Sequence, residues 1–238
     1  MIVIHKGMEP DGLAALREKA RLAGDTPEEA YERLQNPLKR IVRKALVREQ
    51  GGLCAYCMCK IPPVQKEHVE ELYIHLEHII PRNPEDGRDV GQGLDYNNLV
   101  ATCRGYVNDE KVSGKAQERL TCDAHKDNQE FKKINPLCED TLESIYYTLD
   151  GKILSDDVAV NKDLNEILNL NSPYSPLVSE REAALRSLIQ ELQAEDSSAE
   201  IWQSYLDAYL AETEKKTPYV GILIWYLRSL LESNCLQS

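Results

Sequence analysis

The 238 residues contain no apolar run long enough to cross a bilayer; the longest, YVGILIWYL at 219–227, is about half of what a spanning helix needs. The opening MIVIHKGMEPDG offers a three-residue apolar run, too short for the core of a secretory signal, so a cytoplasmic protein without membrane contact is expected. A disulfide framework is excluded on the same ground, because the cytosol keeps thiols reduced, and the cysteine count of seven is odd. There is no internal repeat and no low-complexity tract. Nor is there an excess of positive charge: the formal net charge of -12 argues against a general polyanion binder.

The charge that is present is uneven. Residues 1–136 carry 21 Lys and Arg against 22 Asp and Glu, whereas residues 137–238 carry 7 against 18. A nucleic acid is therefore expected to meet the first part, and a protein partner the second. The pattern divides the chain into an N-terminal helical segment with a basic helix (1–50), a cysteine- and histidine-bearing core (51–136), and a mainly helical region (137–238). That last region is suited to docking a partner or a second copy of the chain.

The segment NPLKRIVRKALVREQGG, 36–52, spaces Leu38, Ile41, Val42, Ala45 and Leu46 as a one-sided helix stopped by Gly51-Gly52. Lys39, Arg40, Arg43, Lys44 and Arg48 occupy its other face. This is either a solvated face, the commoner fate of such a stripe, or a phosphate-facing one. A cysteine knuckle, CAYCMCKIPP, follows, and LYIHLEHII at 72–80 reads as a short strand. Residues 81–96 read as a loop, NNLVATC as a resumed strand, and 122–134 as helix-forming. Farther on, YYTLDGKIL predicts a hairpin across Asp150-Gly151, and four segments after it have helical periodicity. One of them, ILIWYLRSLL at 222–231, is apolar nearly all round, as a buried helix is; exposed Trp225 and Tyr226 would favour a docking surface.

Cys54 and Cys57 form a C-x2-C pair whose thiolates can approach one tetrahedral ion. Cys103 and Cys122 are the expected partners for a closed, structural zinc site, with Cys59 and Cys138 as substitutes. Between them stands HLEHIIPRN. In a strand His75 and Glu77 share one face and His78 takes the other, and Pro81 marks where the strand gives way to loop. Asn98 lies where the strand pattern resumes and can bond backbone across the loop.

Taken in order, C-x2-C, EHIIPR, Asn-Leu with a cysteine five residues after that Asn, and CDAHK resemble the HNH nuclease family, over about residues 50–130. The resemblance implies an α+β fold with a zinc-braced ββα-metal core. It implies that His78 is the general base, that Glu77 is a ligand of the catalytic ion, and that Asn98 orients the base. The four cysteines match the zinc-braced members. The chain departs from the family at the third site: eighteen residues separate Cys103 from Cys122, and Asp123 follows directly. Either Asp123 or His125 would be the second ligand. Asp123 fits the register and Mg²⁺, while His125 is slightly preferred because imidazole suits transition metals. The implied ions are structural Zn²⁺ and catalytic Mg²⁺ or Mn²⁺, with Zn²⁺ as the alternative. Lys126, Arg82, Lys39, Arg40, Arg43 and Lys44 are the candidate phosphate contacts.

A longer set, GLCAYC, YIHLEHIIPR, LDYNNL and LNEILNLNSPYSPLVSEREAAL, looks like the PtuB family, HNH effectors of Septu-type and retron-associated anti-phage defence, which act with a PtuA-like ATPase. The expectation is thus a DNA-cutting defence effector. Two alternatives stay open: the same core cutting RNA or transfer RNA, and a zinc-braced binding module without turnover. Only the catalytic readings need an imidazole at position 78.

Overall fold

The computed structural model describes residues 1–61, 74–82, 93–105, 116–195 and 198–235. The first two residues of the expected strand at 72–80, and most of the expected loop at 81–96, lie outside them. The fold is α+β, with two two-stranded sheets among the described residues.

Three helices open the chain: α1 (Leu13–Ala23), α2 (Pro27–Glu32) and α3 (Leu38–Glu49). A reciprocal capping box starts α2: the Thr26 hydroxyl accepts from the Glu29 N–H, and the Glu29 carboxylate accepts from the Thr26 N–H. The glycine pair ends α3 as expected. Gly51 and Gly52 both take left-handed φ, 66° and 78°, and their N–H groups return to the carbonyls of Arg48 and Val47.

The face that α3 buries is the expected one except at Ile41: Leu38 and Ala45 pack against the core beside Val42 and Leu46. Val42, Leu46 and Val47 are buried, but so is Arg43, while Ile41 is 49% exposed. Gln50, one residue past the helix, supplies the reason. Its side-chain amide donates to the Leu53 and Ala101 carbonyls and accepts from the Ala101 N–H. Satisfying that strand backbone fixes the helix rotation more strictly than burying one isoleucine does, because a buried unpaired amide costs about 1–3 kcal/mol.

Strands β1 (His75–His78) and β2 (Leu99–Thr102) pair antiparallel, with His78 opposite Leu99 and His75 opposite Thr102. A five-residue helix, α4 (Cys122–Lys126), lies against them. The helix expected over 122–134 ends there. Asp127 adopts φ 49°, and the N–H groups of Lys132, Lys133 and Ile134 all turn to the buried carboxylate of Asp163, each at 2.8 Å.

The rest of the chain supplies the predicted hairpin, β3 (Ile145–Tyr147) and β4 (Ile153–Ser155), then α5 (Val158–Lys162) running into a π-helical turn. Helices α6 (Leu177–Ala194), α7 (Ala199–Ala211) and α8 (Val220–Cys235) follow. The first half of α8 is buried, and Trp225 and Tyr226 are half-buried, Trp225 against Tyr147. Backbone bonds tie this region to the cysteine segments: Cys122 N–H to Leu168 O, Tyr219 N–H to Met58 O, and Lys216 N–H to Gly51 O, each 2.9 Å. No helix among the described residues is long and apolar enough to cross a membrane.

Asp163 thus shapes the 127–134 loop from a distant part of the sequence. Asp163→Ala removes the acceptor of one buried N–H, that of Ile134, and of two part-buried ones, and an expected loss of about 2–3 kcal/mol follows. Urea unfolding of the two proteins measures it.

Candidate metal centre and active-site cavity

Three separate segments deliver the four cysteines: the knuckle gives Cys54 and Cys57, the residue after β2 gives Cys103, and the first residue of α4 gives Cys122. Cys122 sits at φ 54°, a strained value for a side chain with a Cβ. Sulfur separations are 3.7 Å (Cys57 to Cys103), 3.8 Å (Cys103 to Cys122) and 3.9 Å (Cys54 to Cys122). All four sulfurs lie within 4.8 Å of one another. A tetrahedron with metal–sulfur arms of about 2.3 Å has edges of about 3.8 Å, so the donor set fits an ion such as zinc. Burial pushes the Cys57 and Cys122 thiols well above their ordinary range, the cost that a bound cation removes. The Cys59 N–H points to the Cys57 sulfur at 3.5 Å, so Cys59 contributes its backbone beside the cluster.

Next to this centre opens a polar cavity of about 400 Å³, lined by both residues at the end of β1, Glu77 and His78, and by Asp123 and Lys126 of α4. His78 is 5% exposed, and its Nε2–H donates to the Gly93 carbonyl at 2.9 Å. That bond fixes the tautomer and leaves the lone pair on Nδ1. Burial pulls the imidazole down to about 4, only partly offset by the Gly93 carbonyl. Gly93 can stand so close because it lacks a side chain: a Cβ there would lie 2.1 Å from the Pro27 carbonyl oxygen of α2. Asn98 clamps the turn that follows His78, its amide accepting from the Ile80 N–H and donating to the Ile80 carbonyl, at 2.8 and 2.9 Å. It therefore braces the backbone directly after the imidazole.

Glu77 is buried, and its Oε1 lies 2.7 Å from Lys126 Nζ and 3.2 Å from the Tyr56 hydroxyl. Burial, then the neighbouring Asp123 carboxylate, push Glu77 up to about 8 against the pull of Lys126. Asp123 takes the Nδ1–H of His75 at 2.8 Å and also contacts Glu77; those hydrogen bonds hold its carboxyl below the usual range despite burial. His75 is thus a partner of Asp123 across the hairpin and helix.

Two expectations about α4 need correction. His125, preferred as second ligand, is turned away: its Nδ1–H donates to the Ile167 carbonyl at 2.9 Å, and it is not part of the cavity wall. On a helix, residues 123 and 126 share a face, while 125 lies about 200° from 123. Lys126, expected to touch phosphate, is fully buried and donates to Glu77 and to the His78 carbonyl at 3.1 Å. It braces β1 from within the cavity wall, its ammonium already committed to Glu77 and the His78 carbonyl.

Of the remaining basic candidates, Arg43 and Arg82 line the cavity, while Lys39, Arg40 and Lys44 lie outside its lining, Lys39 with its Nζ 5.1 Å from the Tyr31 ring centroid. Sequence reasoning missed Tyr31, Gly93 and Tyr56. The capping box could have placed α2, but no local signal joins Tyr31 or Gly93 to a histidine so far away in the chain.

Compared with protein-family models and with curated proteins, the chain matches none.

Elemental analysis of the purified chain is expected to find zinc, and Cys103→Ser to lose it together with much of the thermal stability. A second test concerns His78. Its folded pKa lies below the ordinary 6.5, so the unfolded chain binds the extra proton first; stability present above pH 6.5 is lost as the pH falls towards about 4. Nitrogen-15 NMR should find His78 neutral, protonated on Nε2, from pH 8 down to 5.

Proposed function

We propose that the chain is a metal-dependent phosphodiester hydrolase of the HNH class. More narrowly, we take it as a PtuB-like effector that cuts DNA in anti-phage defence beside a PtuA-like ATPase; that narrower reading rests on the sequence motifs quoted above. The observation that carries the class is His78: a buried, neutral imidazole at a strand end, its tautomer fixed by a backbone carbonyl, facing a cavity walled by two adjoining carboxylates.

The chemistry follows from those groups. A neutral imidazole with its Nε2–H committed to Gly93 accepts a water proton on Nδ1. The carbonyl that holds Nε2–H also stabilises the imidazolium formed, and Asn98 keeps the turn from relaxing. Glu77 and Asp123 form an oxygen donor pair suited to a hard divalent ion, which when bound would offset charge developing on the phosphate. The proton that keeps Glu77 neutral below about pH 8 must leave before the pair can hold such an ion.

One observation favours the zinc-braced binding module instead. Lys126 already pairs with Glu77, and a lysine in that place can stand in for a catalytic ion permanently. The two readings part in a cleavage assay with plasmid DNA and total RNA, in Mg²⁺ and Mn²⁺, with and without the ATPase. His78→Ala is expected to slow cutting about 10²-fold to 10⁴-fold. Cutting of RNA alone would redirect the reading to that substrate, and no cutting of either would leave the binding module.

A pH profile adds a check. Because His78 is neutral throughout the range, the controlling group is Glu77, and the rate at limiting metal should rise about tenfold per pH unit between 6 and 8 and then level.

A further inference from the structure

Arg181, on α6, is a charged side chain buried to 1% exposure in the C-terminal region. Its hydrogen bonds go to three neutral oxygens: Nε donates to the Gly151 carbonyl at 2.6 Å, and Nη2 to the Leu170 carbonyl and the Asn171 side-chain oxygen, each at 2.9 Å. Nη1 is buried without a hydrogen-bond partner. The carboxylate next to it in sequence, Glu180, accepts from the Tyr219 hydroxyl instead. A guanidinium stays protonated in proteins, and burying one without an anion is costly. At this depth no soluble anion reaches it, so the compensating charge has to come from the chain and what the chain holds.

The groups whose charge acts most on Arg181 are Tyr147, Cys57, Tyr219 and Cys122. Two are phenols, which at their ordinary value of about 10 are uncharged near neutral pH. The other two are sulfurs of the metal centre. Contacts follow the same path: the Leu170 carbonyl that accepts from Arg181 lies two residues from Leu168, whose carbonyl accepts from the Cys122 N–H. The Tyr147 hydroxyl feels both Arg181 and Cys57, and Tyr147, Leu168 and Leu170 are all buried. In such dry surroundings a charge acts farther than it does in water. A divalent ion on four thiolates leaves two net negative charges, and a buried charge is stable only when it is compensated. We infer that Arg181 is the counter-charge of the metal centre: held by Gly151, Leu170 and Asn171, its guanidinium offsets the negative tetrathiolate from outside the ligand set and so raises its affinity for a divalent ion. The coupling is reciprocal, since the loaded centre is what makes the buried guanidinium tolerable. It depends on the metal centre and is independent of the hydrolase reading.

The test is the zinc affinity of the full chain, measured by competition with a chromophoric chelator. Arg181→Gln keeps a hydrogen-bonding side chain but no charge. It is expected to raise the Kd for Zn²⁺ about 10-fold to 100-fold, the usual effect of losing a group that supports a metal from outside its ligands. Arg181→Lys keeps the charge without the planar fork and is expected to stay within about threefold of wild type. A purely structural arginine would weaken both variants alike. Loading with iron gives a second readout that packing alone does not move: a nearby cation favours the more negative ferrous centre, so Arg181→Gln should lower the reduction potential. Each variant decides separately, so the test survives if Arg181→Gln fails to fold. A lysine variant weakened about tenfold or more, a glutamine variant with wild-type zinc affinity or an unchanged iron potential, or a wild-type chain that binds no zinc would each overturn the inference.

Discussion

Four sulfurs drawn to within 4.8 Å of one another hold together parts of the chain that have little else to hold them. Strands β1 and β2 are four residues each and α4 is five, lengths at which neither a hairpin nor a helix is stable by itself in water. Cys54 and Cys57 anchor the knuckle, Cys103 the end of β2, and Cys122 the start of α4. The strained φ at Cys122 is consistent with a position set by what the sulfur must reach rather than by the helix it opens. Because α4 begins at a cluster sulfur, the positions of Asp123 and Lys126 are fixed relative to β1 by the same constraint.

That dependence explains why the buried lysine matters. Lys126 reaches from α4 to the two residues that end β1, pairing with the Glu77 side chain and the His78 carbonyl. A buried lysine–carboxyl pair of this sort is weak evidence for stability, since desolvating the ammonium, and the carboxylate once it ionises, can offset their attraction. Its value here is geometric: it ties Glu77 to a helix that the cysteines have already placed, and does so beside a second carboxylate. Lys126 on one side and the proton that Glu77 retains on the other keep the two adjoining carboxyl groups close at a tolerable electrostatic cost.

The parts of this arrangement that were legible in the sequence are those whose signal is local. The C-x2-C spacing, the glycine pair after α3, the Asp150-Gly151 turn and the apolar first half of α8 each encode their geometry within a few residues. The two misreadings inside α4 have another source. His125 and Lys126 were judged by chemical type, imidazole for a metal and ammonium for phosphate, but the helix phase decides which way each points, and that phase is set by where Cys122 must go. Ile41 departs for a related reason: the rest of the apolar stripe of α3 is kept, but Gln50, whose amide meets the Ala101 backbone, helps set the rotation that leaves Ile41 outside. In both cases a polar or sulfur contact with a distant segment outweighs a local pattern.

The N-terminal helices follow the same logic. As a segment of sequence, 1–50 looks like an appendage with a basic face. In space α2 is a wall of the cavity: its Pro27 carbonyl lies where a side chain on residue 93 would have to go, and its Tyr31 packs on the imidazole whose hydrogen bond Gly93 receives. The ring that packs on His78, the seat of the glycine whose carbonyl fixes its tautomer and the ring face near Lys39 and Arg82 therefore all depend on one short helix started by a capping box. A change in how α2 is seated would move all three together, so the orientation of the histidine and the charge beside it are coupled through packing, with no need for a direct bond between them.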